Sequence, residues 1–223
     1  MSNYAAFDGH RAIELARMTL QLEAECILEL IPRLDNSFSR AVEEILVCQG
    51  RVITTGVGKS GKIAQKIAST FSSTGTPAFY VHPTEAAHGD LGMITAADLA
   101  LVISLSGESD EIARILPALS DIGLLVVAIT AGVGSRLAKA ADIVLDCTVR
   151  REACPFNLAP TTSTTLQLAL GDALAVSTLD ARGFSEDKFA SLHPGGALGK
   201  RLTDKLGSAC SQKHREIATL QQK

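Results

Sequence analysis

Leu99-Ala-Leu-Val-Ile103 is an unbroken apolar run that passes directly into Ser104-Leu-Ser-Gly-Glu-Ser109 and then into a helical stripe at Ile112, Ile115, Leu116 and Leu119. A strand without polar alternation is buried on both faces, which calls for a parallel sheet with helices above and below it. The same unit recurs along the chain. Arg51 to Thr55 leads into Gly56-Val-Gly-Lys-Ser-Gly61 and a helix from Lys62 to about Phe71. Ala78 to Val81 is a second strand, and Leu124 to Ile129 a fourth, followed by Thr130-Ala-Gly132 and a helix around Ser135 to Ala140. Ile143 to Cys147 completes the set. Strands alternating with short helices predict right-handed βαβ units, so the fold class is α/β, a three-layer sandwich around a five-stranded parallel sheet. A chain of 223 residues is long enough for one such domain with a substantial core.

The flanks add helices. Asp8 to Leu30 reads as a helix ended by Pro32, and Asn36 to Gln49 as a second one stopped by Gly50. Two helices ahead of the first strand exceed what one sheet needs, so they are expected to pack on the domain or to serve subunit contact. Thr164 to Asp180 is a long apolar helix that carries Asp172 between Gly171 and Ala173.

The strand-to-helix loops carry the chemistry. A helix N-terminus has unpaired N–H groups and a partial positive charge. In the third loop Gly107 lets the backbone approach a ligand, and Ser104, Ser106 and Ser109 offer hydroxyls to anionic oxygens. An ordinary turn capped by Ser109 or Asp110 would need only one of these. Three hydroxyls around a glycine at the carboxyl end of a buried strand favour a phosphate cradle, because open α/β sheets bind ligands at that edge. The Gly56–Gly61 hexamer matches GxGxxG, a weak pattern. A dinucleotide site would want an acidic residue at the end of the second strand, where His82 stands, and a P-loop would want glycine at position 53, which is Ile53. What remains is a glycine-rich helix N-terminus bearing Lys59 and Ser60, read as ligand-binding.

Other residues are weaker signals alone. His82 and His88 are six apart in a loop rich in glycine and carboxylates, and their spacing matches no closed zinc site. Glu152 to Thr165 puts two prolines and five hydroxyl residues, Thr161 among them, at the entry to the long helix, an anion-donor pattern that capping partly explains. His193 precedes Pro194-Gly195-Gly196, and a lone histidine is more often structural than catalytic.

Composition excludes several classes. Apolar residues make up 46% and charged residues 20%, with a net charge of −3 and no basic block, so nucleic acid is not the expected partner. No apolar run approaches the ~20 residues of a membrane span, and the N-terminus has no signal-peptide core. The five cysteines are scattered, odd in number and free of CxxC pairs, which points to reduced thiols in a cytoplasm.

Taken together, the Gly56–Gly61, Ser104–Ser109, His82–Met93, Glu152–Thr165 and Ser191–Arg201 segments resemble the sugar isomerase (SIS) domain of D-arabinose 5-phosphate isomerases, over about residues 10 to 202. The first two are general to SIS domains; HPTEAAHGDLGM, EACPFNLAPTTSTT and SLHPGGALGKR are specific to the arabinose 5-phosphate branch. The resemblance implies a flavodoxin-like doubly wound domain over residues 51–202, with residues 1–50 as N-terminal helices on the same domain. It implies a homotetramer with active sites between subunits. The implied reaction interconverts ribulose 5-phosphate and arabinose 5-phosphate and feeds the Kdo sugar of lipopolysaccharide or capsule. Catalytic positions carried over are Lys59, Glu111, Glu152, His193 and His88. Substrate contacts are Ser60, Gly75, Thr76, His82, Ser104, Ser106, Gly107, Ser109 and Thr161. His82 is also where the family sometimes carries zinc without a catalytic need. Many members continue into a pair of CBS domains; residues 203–223 read instead as a short polar tail.

Such an isomerase opens the sugar ring and moves a proton between C1 and C2 through an enediol, with no redox cofactor or metal strictly required. The expected assignment makes Glu152 the base, His193 or His88 the oxygen-shuttling acid, Lys59 the group that orients the sugar, and Glu111 the partner of Lys59 or of a hydroxyl. A phosphosugar-binding regulator without turnover, or an SIS isomerase for another sugar phosphate, are the alternatives.

Overall fold

The computed structural model describes residues 7–193. Residues 1–6 and 194–223 lie outside the described residues, and with them the Pro194–Arg201 part of the last motif and the 203–223 tail. Five strands form one parallel sheet in the order β2-β1-β3-β4-β5. They are β1 (Val52–Thr55), β2 (Ala78–Tyr80), β3 (Leu99–Ile103), β4 (Leu125–Thr130) and β5 (Ile143–Asp146). The helices are α1 (Gly9–Leu30), α2 (Asn36–Val47), α3 (Gly58–Ser73), α4 (Pro83–Ala87), α5 (Asp110–Ile122), α6 (Arg136–Ala140), α7 (Thr162–Ala181) and α8 (Glu186–Leu192).

Alternation along β3 explains why it has no polar residue. Leu99, Leu101 and Ile103 enter a core with Ile45 of α2, Ile67 and Phe71 of α3, and Leu166, Leu170 and Leu174 of α7. Ala100 and Val102 enter the opposite core with Ile112 and Leu119 of α5 and Leu137 of α6. Each face is capped, so each register position on the central strand is apolar.

α1 packs against α7, and α2 against both α7 and β5, together burying Leu22, Cys26, Leu30, Ala41 and Ile45. The close approach of α3 to α7 requires Gly171, because a Cβ there would collide with Ile67. Asp172, next to it, receives Lys66 Nζ at 2.5 and 2.7 Å and Thr70 Oγ1 at 3.2 Å, which accounts for a charge inside an apolar helix.

Three boundaries differ from the sequence reading. α3 begins at Gly58, not Lys62, so Lys59 and Ser60 belong to its first turn. The His82–Met93 loop contains a short helix, α4, with Pro83 at its first position, Glu85 in its first turn, and His82 Nδ1 accepting from Thr84 N at 3.2 Å. α8 was not anticipated; Ser185 caps it, accepting from Lys188 N.

At the amino edge, Asp98 ties β3 to β1. It is 5% exposed and accepts from Arg51 N (2.7 Å), Thr95 N (2.8 Å), Thr95 Oγ1 (3.1 Å) and Arg51 Nε (3.3 Å). Burial pushes its carboxyl upward, but the Arg51 and Thr95 hydrogen bonds outweigh this and hold it below the ordinary aspartate value. A depressed folded-state pKa contributes stability above the unfolded value, about 3.9, and loses it as pH falls through the folded one. Asp98→Asn is therefore expected to cost about 2–3 kcal/mol near neutral pH and to flatten the fall in stability below about pH 4. Urea midpoints measured from pH 6 to 3 check both.

Candidate active site

The strand order reverses between β1 and β3, so a crevice opens where their carboxyl ends send α3 and α5 in different directions. A cavity of about 660 Å³ occupies that place. Lys59 and Ser60 line it from α3; Ser104, Ser106 and Ser109 from the β3–α5 loop; Ala131 and Gly132 from the end of β4; and Pro160 from the approach to α7. Five of the expected residues thus converge on one cavity.

The glycines of the hexamer have separate reasons. Gly58 takes φ +57°. A Cβ at Gly56 would meet the Ile103 carbonyl, and one at Gly61 the Gly56 carbonyl and the Tyr80 hydroxyl. Tyr80 Oη donates to Gly56 O at 2.7 Å, and its burial raises its pKa. The amides of Gly58, Lys59 and Ser60, in the first turn of a 16-residue helix, have no carbonyl four residues back inside it.

The serine loop is held from within and from its neighbour. Gly107 N donates to Ser104 Oγ at 3.2 Å, and the Ser104 and Ser109 hydroxyls stand 3.2 Å apart. Ser109 is the residue before α5, yet its side chain makes no cap bond. Gly107 has φ +67° and no room for a Cβ beside Ser135. Leu137 N donates to Gly107 O at 3.1 Å. Glu108 and Asp110 place negative charge beside the serine loop. Arg136 counters both: its backbone N and Nε donate to the Glu108 carboxylate at 2.9 and 2.7 Å, and its Nη2 lies 3.0 Å from Asp110. These bonds hold the Glu108 carboxyl below its usual value.

Glu152 lies behind the cavity wall, 8% exposed and outside the lining residues. Its Oε2 accepts from Thr161 N (2.7 Å), Thr161 Oγ1 (3.2 Å) and Ser163 N (3.2 Å), the start of α7. Burial raises its carboxyl, but hydrogen bonds from Ser163 and Thr161 prevail and keep it below the ordinary glutamate value. The carboxylate is therefore ionised at neutral pH and fastens the turn that presents Pro160. Thr161 also accepts from Ala153 N at 2.9 Å.

The remaining residues do not line this cavity within one chain. Glu111 is exposed in the first turn of α5 and makes no ion pair with Lys59 among the described residues, so the expected pairing is absent here. His82 and His88 flank α4 at the carboxyl end of β2, His88 exposed. Among the described residues no three His, Cys, Asp or Glu side chains stand together for a metal, and His82 uses Nδ1 to cap α4. The residues present do not fit a closed zinc site. Gly75 and Thr76 lie at the amino end of β2, the far edge of the sheet, where Gly75 (φ +90°) presses against the Phe184 ring. α7 carries the chain from the cavity to that corner, and α8 leaves from it. His193, at the end of α8, stacks on Phe189 with ring centroids 4.0 Å apart, and its Nδ1 lies 2.8 Å from Phe189 O.

Sequence reasoning did not single out Gln167. It is fully buried on α7 and accepts from Ser60 Oγ at 3.2 Å. A polar residue on an otherwise apolar helix face was the available signal.

A model of the SIS domain matches residues 45–177. The chain belongs to the SIS domain family. Arabinose 5-phosphate isomerase KdsD of Pseudomonas aeruginosa is 50% identical over 194 residues, which is 87% of this chain and 60% of that protein. Arabinose 5-phosphate isomerase GutQ of Escherichia coli K12 is 51% identical over the same shares. The chain thus spans about 60% of the length of these SIS relatives. A solved structure of an E. coli CFT073 protein in complex with A5P is 39% identical, with a TM-score of 0.81, covering 84% of this chain and 100% of that one. The SIS match includes every cavity-lining residue. Among the described residues no helix is long and apolar enough to cross a membrane.

Proposed function

We propose that this SIS domain is an aldose–ketose isomerase that interconverts D-ribulose 5-phosphate and D-arabinose 5-phosphate. The observation that carries the reading is the cavity at the β1/β3 switch point. It joins two helix N-termini, the three serine hydroxyls of the β3–α5 loop and one ammonium group, all suited to a phosphoryl group on a small polar body. The names of the half-identical relatives and the A5P complex of the structural neighbour supply the sugar. Incubation with ribulose 5-phosphate, with appearance of arabinose 5-phosphate as the readout, tests it. Binding without turnover would instead indicate a phosphosugar-sensing role, and turnover of a hexose or heptose phosphate alone a different isomerase.

In the mechanism we propose, the phosphoryl group sits on Ser104–Ser109 and the first turn of α3. Lys59 orients the sugar and stabilises charge that develops on the enediolate oxygen. Glu152, already ionised, is the candidate base for the C1/C2 proton, and His193 or His88 shuttles protons between the oxygens. No step is routed through a metal or a redox cofactor. Because Gly75, Thr76 and His193 stand apart from the cavity in one chain, a second subunit completes the site. α1 and its C-cap support this: Ile13, Leu20 and Leu28 of the helix and Ile31 just after it are 54%, 68%, 64% and 58% exposed and fall on one helical stripe, an apolar face suited to assembly as a tetramer. A cytoplasmic setting agrees with the free thiols of Cys26, Cys48, Cys147 and Cys154. Supply of Kdo synthesis for lipopolysaccharide or capsule is the corresponding metabolic place.

The serine loop gives a direct test. Gly107→Ala forces a left-handed residue against Ser135 and Thr130, a strain of about 1–3 kcal/mol. The expected outcome is a KM for ribulose 5-phosphate raised about tenfold or more with a smaller change in kcat, read by steady-state kinetics.

A further inference from the structure

Ser60 lines the cavity, yet its hydrogen is committed elsewhere. Its Oγ donates at 3.2 Å to Oε1 of Gln167, an oxygen that can only accept. Gln167 is 0% exposed and is held within the core side of α7, with Leu166 and Leu170 as its buried neighbours on the helix. Its Nε2 is buried, and the Gln167 side chain also reaches the Cys147 thiol, the polar group on its other side from Ser60. On one side of it lies Cys147, whose thiol is pushed up to about 12 by burial and by Asp146, against an opposing influence from Gln167. That thiol stays protonated and supplies no charge to reorient the amide.

A serine hydroxyl has one hydrogen and two lone pairs. With the hydrogen on Gln167, the face of Ser60 turned to the cavity offers only lone pairs. Phosphoryl oxygens at neutral pH are acceptors too, so Ser60 Oγ is mismatched to them. A sugar hydroxyl is a donor and fits. Ser60 stands in the first turn of α3, one residue beyond Lys59, while Ser104, Ser106 and Ser109 lie on the opposite wall. Among the donors of the serine loop, Lys59 and the first-turn amides of α3, Ser60 Oγ is therefore an acceptor facing the cavity.

We propose that Gln167 is a positioning residue that locks Ser60 as an acceptor, and that Ser60 thereby selects a hydroxyl-bearing sugar phosphate over a bare phosphate. The inference rests on the proposed function only for the identity of the sugar phosphate; the polarity of Ser60 follows from the Gln167 contact.

The test compares affinity for ribulose 5-phosphate with affinity for inorganic phosphate, both by calorimetry on the intact protein, alongside kcat and KM. Ser60→Ala is expected to weaken the sugar phosphate about five- to tenfold, one lost hydrogen bond, while phosphate affinity stays within about twofold. Gln167→Met keeps the volume, frees the Ser60 hydrogen and is expected to reproduce the same loss of discrimination, largely as a KM effect. In Ser60→Ala the further change Gln167→Met should add little. The proposal is overturned if Ser60→Ala weakens both ligands equally, since Ser60 would then be donating to phosphate. It is also overturned if Gln167→Met acts undiminished in the absence of the Ser60 hydroxyl, a purely structural effect. Should Gln167→Met not fold, the Ser60→Ala ratio alone decides. A wild-type protein that binds ribulose 5-phosphate without forming arabinose 5-phosphate would refute the proposed reaction and leave this ratio intact as the test.

Discussion

Glu152→Gln is expected to abolish exchange of solvent protons into ribulose 5-phosphate while phosphate binding persists. A positioned general base contributes about 10²–10⁴-fold, and the amide of glutamine cannot take a proton at neutral pH. The same substitution touches the fold, because the Glu152 carboxylate accepts Thr161 N and Ser163 N at the start of α7. Glutamine keeps an acceptor oxygen but loses the charge, so a loss of about 1–2 kcal/mol accompanies the catalytic effect. Deuterium incorporation followed by NMR reads the first quantity and a urea midpoint the second. Full exchange together with lowered stability would assign Glu152 to fastening the Pro160 turn alone. The depressed carboxyl also has a consequence in acid: its contribution to stability is present above the unfolded value, about 4.3, and declines as pH drops below it.

Mixing two inactive variants should restore turnover if the site is shared between subunits. Lys59 lines the cavity, whereas His193 ends α8 and does not. α7, with 20 residues, spans about 30 Å and carries the chain from the cavity-lining Pro160 end to Phe184 at the Gly75 corner. Lys59→Ala and His193→Ala are each expected to lose activity by at least about 10². Subunits exchanged between them would pair an intact Lys59 with an intact His193 in some sites, so activity should rise well above either parent. Mixing without any gain, after mass measurement has verified exchange, would mean that both residues act in the same chain's site or that His193 is structural. The stacking of His193 on Phe189 is the feature that a structural role would use.

The reading of β3 and its loop from sequence succeeded for a local reason. A five-residue apolar run that passes straight into a glycine- and serine-rich turn and a helical stripe suits a strand of a parallel sheet covered on both faces, and β3 is that strand. The three glycines of the hexamer were visible too, although their separate duties were not. Gly58 answers to its own backbone angle, while Gly56 and Gly61 answer to Ile103 and Tyr80, residues far away in the chain. The short helix α4 was missed because five residues give no periodicity, even though Pro83 and Glu85 are helix-start signals.

What the sequence determined by itself was the class of fold, the strand order's raw material and the glycine- and hydroxyl-rich composition of two strand-to-helix loops, since each follows from spacing within about fifteen neighbouring residues. What the tertiary structure decided was which residues meet. Only the switch of direction between β1 and β3 brings Lys59 to the serine loop, only the crossing of α3 and α7 sets Gln167 under Ser60, and only the parallel sheet puts Gly75 and Thr76 at its far edge. These are contacts between segments dozens of residues apart, fixed by packing two apolar faces at once, and no local pattern encodes them.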